Sequence, residues 1–589
     1  ATIVMALGVQ RMTKKNALIR KLPAVETLGS ATVICSDKTG TLTLNKMTVT
    51  HIAVNGGFEA GKSISVEEAV QERSSVYQEL VYAAALCNDA SLDPDRKGEV
   101  IGDPTEGALI YMAQAFGIDH ERLEDEHPRL FEQPFDSDRK RMTTVHRIGN
   151  CLTAYTKGAV DEMLPLCTHI LTPNGVRPIT ESDKSHIAGL CLSMSESALR
   201  VLGFAMRSLA ALPVEDDENV ELGLTFIGVA GMIDPPRREV AEAVRTCRRA
   251  GIRTVMITGD HKVTATAIAK QIGILEDGDI ALSGVELDKM SDEELGEKLE
   301  HVSVYARVSP EHKIRIVDAW QKKGKIVSMT GDGVNDAPAL KKANIGVAMG
   351  ITGTEVSKDA AAMILTDDNF ATIVKAVTNG RNVYANIKNA IKFLLSGNMS
   401  AILSVLYTSL FALPIPFQPV HLLFINLLTD SLPAIAIGME PPREDLLNQK
   451  PRNPKESIMS KDFMLTLLVQ GAIIGVFVMA AYHIGLSAGG AALASTMAFA
   501  TLTLARLFHG FNCRADASIF KLGLGSNKYS ILAFIAGLVL LNAVLFIPAF
   551  HGLFMVADLT IGNIGTIYLL AFMPTVIIQL YKVVKEKRK

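Results

Sequence analysis

The sequence predicts a multidomain protein in which an α/β part is followed by a helical membrane part. The chain has 589 residues, more than a single hydrophobic core usually holds. Residues 1 to about 380 mix charged and apolar residues, whereas the remainder contains long apolar stretches. Up to about residue 380, apolar strand patterns with glycine-rich ends alternate with helical patterns. This alternation indicates a parallel sheet with helices on both faces.

Composition excludes some classes of function. The formal net charge is −3 and no basic tract is present, so we expect no nucleic-acid partner. The seven cysteines are scattered without paired spacing. That pattern indicates a reducing compartment and no zinc site.

The chain opens with a short apolar segment whose end carries Arg11, Lys14 and Lys15. About twelve residues are too few to span a bilayer. We therefore expect the cytosolic end of a membrane helix whose earlier part lies outside this sequence, with the basic residues on the cytosolic side. From pattern alone, an amphipathic helix of a soluble domain is the alternative.

The segment ATVICSDKTGTLT, residues 31–43, predicts a phosphate site. Asp37 ends an apolar strand pattern and is followed by Lys38-Thr39-Gly40-Thr41. Ligands of open α/β sheets gather beyond the carboxyl ends of the strands, where backbone N–H groups favour anions. Asp37 is therefore a candidate nucleophile. An aspartate before a Thr/Gly turn also caps helices, so this segment alone leaves both interpretations open.

Three distant segments complete a phosphoryl-transfer site. VMITGD is a second apolar strand that ends in a hydroxyl and an acid, and IVSMTGDGVNDAP is a third strand that ends in acids and glycines. A lysine that lies between these two segments in the sequence provides a cation for the transferred phosphoryl group. The acids of the segments provide oxygen ligands for Mg²⁺. The candidate residues are Thr258, Gly259, Asp260, Lys313, Asp332, Asn335 and Asp336.

The motifs DKTGT, TGD and GDGVNDAP resemble those of the P-type ATPases, whose phosphorylation domain has a haloacid dehalogenase-like, Rossmannoid fold. The resemblance implies that ATP phosphorylates Asp37 and that Asp37, Thr39 and Asp332 hold Mg²⁺. Soluble phosphatases of that superfamily have a second aspartate, a general acid, where this chain has Thr39. Without that acid the aspartyl phosphate should persist, which suits a pump and argues against a membrane-tethered phosphatase. A catalytically inactive ion sensor would lack Asp37 or Asp332.

Residues 46–228 separate Asp37 from the rest of its sheet and therefore form an inserted domain. Their segments resemble the α+β nucleotide-binding domain of type II pumps, which implies roles in ATP binding for Glu106, Phe135, Lys157 and Arg200. From spacing alone, packing or solvated surface charge is the more common explanation for each of these residues. The resemblance divides the chain into the end of the fourth membrane helix with its linker (1–30), the phosphorylation domain (31–45 and 229–380) and membrane spans five to ten (381–589).

Hydropathy after Gly380 predicts six spans. The connecting segments 441–461 and 513–528 and the C-terminal tail are basic, whereas the other loops carry little charge. The positive-inside rule then places the basic segments and the ATP domains in the cytosol. The predicted spans are 384–411, 418–438, 462–486, 490–512, 529–550 and 560–581.

Polar residues within these spans predict an ion site, because they are costly in lipid. Asn426 and Asp430 are four residues apart, on one face of a helix, with Thr429 beside them. Asn398 faces inward if Gly397 marks a close helix contact. Oxygen ligands favour a hard cation such as Ca²⁺, with Mn²⁺ as the alternative. The asparagines could instead form hydrogen bonds between helices.

The segment NLLTDSLPA resembles the sixth span of type IIA calcium pumps of the sarcoplasmic-reticulum kind, and the resemblance covers the whole chain. Where two-calcium pumps carry glutamates in the fifth and eighth spans, this chain has Ala401 and Arg506. It is therefore most similar to bacterial single-calcium pumps. We expect Arg506 to replace the second ion and to pair with Asp430, although snorkelling to the headgroups is an alternative.

This resemblance implies a monomeric, multi-pass pump of the plasma membrane. It implies export of one Ca²⁺ per ATP, with protons as the counter-ion and with ATP and Mg²⁺ bound on the cytoplasmic side. It also implies that the actuator domain, with its TGE motif, and the first spans lie outside this sequence.

Overall fold

The computed structural model describes residues 2–72, 74–93, 100–214, 218–453 and 456–588. These residues form an eight-stranded sheet, a nine-stranded sheet and a two-stranded sheet, followed by long apolar helices. The predicted order, an α/β part before a helical part, is confirmed. Of the predicted basic segments, residues 454–455 and Lys589 lie outside the described residues.

The eight-stranded sheet, here called the first sheet, carries Asp37. Its neighbouring strands are parallel except for one antiparallel edge pair, Ala17–Ile19 with Met363–Leu365. The strand Val33–Asp37 lies in the interior, between Arg253–Ile257 and Val327–Gly331. The three predicted motifs therefore follow three neighbouring strands and lie side by side at the carboxyl ends of those strands. From edge to edge the strands are Ala17–Ile19, Met363–Leu365, Ile345–Met349, Val327–Gly331, Val33–Asp37, Arg253–Ile257, Val302–Ala306 and Ile280–Ser283.

Helices cover both faces of the first sheet, as the alternating pattern predicts. One apolar cluster contains Val244 and Ile268. A second cluster, which contains Val317 and Trp320, packs beneath other helices of the domain. The helices of this part are Val240–Arg249, Lys262–Gln271, Gly284–Asp288, Asp292–Lys298, Pro310–Lys322, Ala337–Lys342 and Glu355–Ala360.

The nine-stranded sheet, here called the second sheet, is formed by the inserted residues. Its strands are Thr48–Val54, Ile64–Ser65, Arg129–Asp136, Arg141–Ile148, Cys151–Gly158, Cys167–Thr172, Gly175–Pro178, Arg200–Leu209 and Leu224–Ile233. The two-stranded sheet joins Ser91–Leu92 and Val100–Ile101. The helices that accompany them are Ala24–Gly29 in the preceding linker and Val66–Glu72, Ser75–Leu86, Pro104–Ala115, His120–Glu126, Val160–Met163 and Glu181–Glu196.

Two predicted domain boundaries fall inside regular elements. The strand Leu224–Ile233 pairs with Thr48–Val54 along its length up to Ile233, so the insertion ends after Ile233 and not at 228. The helix Phe370–Leu410, here called the central helix, runs through the boundary predicted at 380/381. Its residues Phe370 and Ile373 are fully buried in the core of the first sheet. Both differences arise because pairing and packing continue past the point where composition changes.

Five helices of the described residues are long and apolar enough to cross a membrane. The central helix lies beside the segment Thr2–Thr13. The other long helices pack against one another. A short helix, Pro548–Phe554, follows the fourth of the five. The five helices are Phe370–Leu410, Pro419–Gly438, Lys461–Asn512, Lys528–Phe546 and Ile561–Lys587.

The 52-residue segment Lys461–Asn512, here called the hairpin helix, is two helical arms joined at a reversal. Gly489 and Gly490 have non-helical backbone angles, and φ of Gly490 is +76°, a region that favours glycine. A Cβ atom added to Gly485 would lie 2.8 Å from Cα of Ala494. Residues nine positions apart in a straight helix would be about 13 Å apart. The two arms therefore fold back on each other.

A glycine crossing links the first sheet to the central helix. The short helix Ala24–Gly29, which precedes the strand of Asp37, crosses the central helix at Gly29 and Gly380. A Cβ atom on Gly380 would lie 2.6 Å from the carbonyl oxygen of Val25 and 2.7 Å from the amide nitrogen of Gly29. Only glycine allows the two backbones to approach this closely.

We predict that Gly380→Ala destabilises the complete protein, because forced overpacking costs about 1–3 kcal/mol. The expected result is a fall of the thermal unfolding midpoint by several degrees. The matched control is Gly565→Ala, since Gly565 is also helical but has open space around its Cα. Alanine is the better helix former there, so the control should keep or raise the midpoint. Equal midpoints for both variants would contradict the close crossing.

Candidate functional site

Asp37 lies at the carboxyl end of the interior strand, with its side chain 14% exposed. Its backbone N–H donates to Oγ1 of Thr330 over 2.9 Å, and its Oδ1 accepts from the N–H of Lys38 over 2.7 Å. The turn continues through Gly40, whose φ is +72°. One carboxylate oxygen of Asp37 therefore caps the turn, and the other is available to Lys313 of the helix Pro310–Lys322.

Lys313 joins Asp37 to the third motif. Its Nζ lies 2.5 Å from Oδ2 of Asp37 and 2.6 Å from Oδ1 of Asp336. Burial disfavours the charged form of Lys313, but the two carboxylates outweigh it and place the pKa of Lys313 above its usual range. Burial raises the pKa of Asp37, and the Lys313 ammonium opposes that rise. The lysine thus holds two buried acids close together.

Asp336 and Asp332 have different surroundings although both follow the strand Val327–Gly331. Oδ2 of Asp336 accepts from the N–H groups of Asp332 and Gly333 over 3.2 and 3.1 Å, so Asp336 fixes the loop. The Asp332 carboxylate makes no ion pair within the described residues. Burial, Asp37 and Asp336 raise the pKa of Asp332. Asp332 is therefore the acid of this group that lacks a cation.

The TGD motif contributes the other side of the site. Thr258 is buried, and its Oγ1 accepts from the N–H of Asp260 over 3.1 Å. Lys38 forms an ion pair with Asp260, which the sequence did not suggest. Gly259 is exposed beside them. Asn335 is also exposed, so the structure does not bring its side chain into the buried cluster.

The oxygens of this cluster suit Mg²⁺. Asp332 makes no ion pair among the described residues and lies near Asp37, and Thr39 occupies a non-helical position in the turn that follows Asp37. Within the described residues, no group of three or more His, Cys, Asp or Glu side chains is arranged to hold a metal. Mg²⁺ does not need such a group, because it takes one or two carboxylates and completes its shell with phosphate and water.

Three of the four candidates of the inserted domain meet on the second sheet. Lys157 and Glu106 form an ion pair, and both are largely buried. Arg200 donates from Nη1 to Oγ1 of Thr105 over 2.9 Å, which places it beside Glu106. Phe135 lies on the strand Arg129–Asp136 with 63% of its surface exposed. The sequence analysis did not identify Thr105 as a site residue. Its position immediately before Glu106, at the start of a helix, is the feature that could have identified it.

A cavity of about 600 Å³ lies between the two sheet domains. Lys38 and Asp260 line it from the first sheet, and Arg200 lines it from the second. Asp234 also lines it and accepts from Oγ1 of Thr43 over 2.5 Å. Lys38, the residue after Asp37, and the TGD loop therefore face the same space as Arg200 of the inserted domain.

In the helical region, Arg506 of the hairpin helix forms a buried ion pair with Asp430. Both side chains are 2% exposed. Arg506 also donates from Nη2 to Oδ1 of Asn398 over 3.1 Å. A Cβ atom on Gly397 would collide with the guanidinium, so Gly397 does mark a close helix contact. Arg506 does not snorkel away in this structure.

The expected shared face of Asn426 and Asp430 is not observed. Residues Ile425–Thr429 form a π-helical turn, in which the N–H of Asp430 donates to the carbonyl of Ile425 over 2.9 Å. This wider turn changes the angular spacing, so Asp430 is buried while Asn426 is exposed. Thr429 is buried and its hydroxyl donates to the carbonyl of Ile425 over 3.0 Å. Oδ1 of Asp430 is buried without a hydrogen bond in the described chain.

Comparison with known proteins gives consistent matches along the chain. Residues 414–584 match the family described as cation transporting ATPase, C-terminus, and residues 76–239 match the family described as P-type ATPase, cytoplasmic domain N. Calcium-transporting ATPase 1 of Bacillus cereus is 46% identical over 99% of this chain and 67% of its own length.

Two further relatives are similar. The calcium-transporting ATPase of Listeria monocytogenes is 45% identical over 100% of this chain and 66% of its own length. That of Bacillus subtilis is 42% identical over 98% of this chain and 66% of its own length. The chain therefore spans about two thirds of the length of the curated relatives it matches.

We predict that Phe135→Ala weakens the binding of a fluorescent ATP analogue by about three- to tenfold, because an aromatic stack contributes about 0.5–1.5 kcal/mol. Titration of the complete protein measures this. Leu130→Ala is the control, since Leu130 is an exposed apolar residue of the same strand. An unchanged affinity in the Phe135 variant would show that the base binds elsewhere.

Proposed function

Because this chain belongs to the P-type cation-transporting ATPases, we propose that the complete protein is an ATP-driven pump that exports Ca²⁺ from the cytosol. The observation that carries the proposal is the buried cluster in which Lys313 joins Asp37 to Asp336 at one edge of the first sheet. A phosphoryl group transferred to Asp37 would lie against this lysine and against the TGD loop.

The proposed reaction is an in-line transfer from ATP to Asp37. A carboxylate oxygen of Asp37 forms a bond to the γ-phosphorus as the bond to the β-phosphate oxygen breaks and ADP leaves. Lys313 offsets the charge on the transferred oxygens, and the Thr258 hydroxyl donates to them. Mg²⁺, when held by Asp37, Thr39 and Asp332, offsets further phosphate charge. Thr39 cannot act as a general acid, so the aspartyl phosphate persists long enough to couple to transport.

The parallel order and the position of Asp37 support a haloacid dehalogenase-like fold for the first sheet. In this proposal the 600 Å³ cavity admits the nucleotide. Phe135 stacks on adenine, Lys157 and Glu106 border the base, and Arg200 binds phosphate. Lys38, Gly259, Asp260, Asn335 and Asp336 shape the loops around the transferred group.

The reversal at Gly489–Gly490 divides the hairpin helix into two arms, and each arm is long enough to cross the membrane. The five long helices therefore support six spans. The basic segments support a cytoplasmic location of the two sheet domains at the plasma membrane, by the positive-inside rule. In this orientation the pair Arg506–Asp430 lies inside the membrane.

We propose Asp430 as the principal Ca²⁺ ligand, with Asn398 and Thr429 beside it and Mn²⁺ as an alternative cargo. Support comes from the unsatisfied oxygen of Asp430. Arg506 supplies a fixed positive charge close to that ligand, and Ala401 has no oxygen to add. A second divalent ion would be repelled, so one ion is carried per ATP. After the ion is released, Arg506 also compensates the negative charge of Asp430, and this reduces the number of protons that must return.

Two rival functions have less support. A membrane-tethered phosphatase would have an acid at the position of Thr39 and no need for a buried Asp430. An inactive ion sensor would keep Asp430 but would have no reason to keep Lys313 between Asp37 and Asp336. The structure contains both features that the rivals leave unexplained, namely the buried Asp430 and the position of Lys313 between Asp37 and Asp336.

We predict that Asp37→Asn abolishes phosphoenzyme formation from ATP in the complete protein, because an amide is isosteric but not nucleophilic. Radiolabelled phosphate in acid-quenched protein measures this. Binding of the fluorescent ATP analogue should stay within about twofold, since the amide leaves Phe135 and Lys157 unchanged. Persistent, hydroxylamine-resistant label on the variant would show that another residue is phosphorylated.

We predict that Asp430→Asn removes Ca²⁺-dependent phosphorylation by ATP but spares phosphorylation by inorganic phosphate, which uses only the cytoplasmic site. The second reaction also shows that the variant is folded. Asp558→Asn is the control, because Asp558 is a carboxylate of the same region that is 96% exposed. Calcium activation of Asp430→Asn at an unchanged concentration would place the ion elsewhere.

A further inference from the structure

A basic cavity of about 230 Å³ lies beside the central helix, near the start of the hairpin helix. It is distinct from the cavity between the sheet domains and from the Arg506–Asp430 pair. Gly29 and Ser30 of the linker also line it. The charged side chains that line it are Arg381, Lys388, Arg443, Lys450, Arg452 and Asp516.

Asp516, the acid of this lining, and Glu26 near it are already paired with cations. Asp516 lies 2.7 Å from Lys392, and Arg452 lies 2.9 Å from Glu26. Arg452 also stacks over the ring of Tyr384, 3.8 Å from its centroid. Excess positive charge therefore remains on the lining.

Several donors of the lining have spare capacity. The terminal nitrogens of Arg381 donate to the carbonyls of Ala250, Leu446 and Gln449. Its Nε is buried without a hydrogen bond in the described chain, and the residue is 9% exposed. Lys450 makes no ion pair among the residues the structure describes. An acceptor with negative charge would satisfy these groups.

The cavity lies at the level expected for lipid headgroups. Residues 393–410 of the central helix contain no charged side chain, so Lys388 and Lys392 precede the apolar part. The Lys388 ammonium lies 5.6 Å from the ring of Phe463, which is in the first turn of the hairpin helix. Basic pockets between helices on the cytoplasmic side are the sites that bind anionic headgroups.

We propose that this cavity binds a phosphate group, supplied by an anionic phospholipid of the adjacent leaflet. The cavity contacts both the linker that precedes the strand of Asp37 and the central helix. A bound headgroup would therefore bridge the junction between the first sheet and the membrane helices. The proposal depends on membrane insertion and does not depend on which ion is carried or on phosphorylation of Asp37.

Binding of fluorescent phosphatidylglycerol to the complete protein in phosphatidylcholine nanodiscs tests the proposal. The expected result is saturable binding that unlabelled phosphatidylglycerol displaces. Lys388→Gln/Lys450→Gln should weaken it about thirtyfold, as the loss of two cations near an anionic headgroup predicts. The matched control, Lys521→Gln/Lys528→Gln, removes two exposed lysines of another basic loop and should change the affinity less than twofold. The single variant Lys450→Glu tests the same site without a change at Lys388, so the packing of Lys388 on Phe463 is kept.

Equal losses in the two double variants, or binding that does not saturate, would overturn the proposal, because either result indicates general surface attraction. Inorganic phosphate, added as a competitor, separates the two sources of the group. Failure of millimolar phosphate to displace the lipid supports the headgroup. Displacement that depends on Lys388 and Lys450 supports the same pocket as a site for soluble phosphate.

Discussion

The α/β part of the protein depends on one buried cation, Lys313, which lies between two acids. Without it, Asp37 and Asp336 would be two uncompensated like charges close together in a buried site, which is costly. With it, the Asp37 carboxylate stays beside a positive charge, as the proposed phosphoryl transfer requires. Asp336 can then hold the loop of Asp332. The parallel sheet makes this possible because three strands end at one edge.

The helical part uses a similar arrangement for a different purpose. Arg506 is buried beside Asp430 and Asn398, which is tolerated only because the charges are paired. The glycine at position 397 makes room for the guanidinium, and the π-helical turn directs Asp430 toward it. The central helix connects the two parts, since it begins in the core of the first sheet and reaches the Arg506 region.

Much of this organisation could be predicted from sequence, because strand-end motifs and apolar spans are local patterns. Asp37, Lys313, Asp332 and Asp336 were found this way and do lie together. The exposure of Asn426 could not be predicted, because a π-helical turn has no clear sequence signal and breaks the i, i+4 rule. The boundaries at 228 and 380 failed because strand pairing and helix continuity do not follow composition. The pairing of Lys38 with Asp260 depends on a contact between distant segments.

We propose that Asp37 phosphorylation is coupled to one ion bound at Asp430, with Arg506 excluding a second. The most direct measurement is the ratio of occluded calcium to phosphorylated aspartate in the complete protein, with both labels counted in the same trapped sample. The account predicts one calcium ion per phosphoenzyme. A ratio of two would contradict it, because the second ion would need a site that a buried guanidinium does not permit.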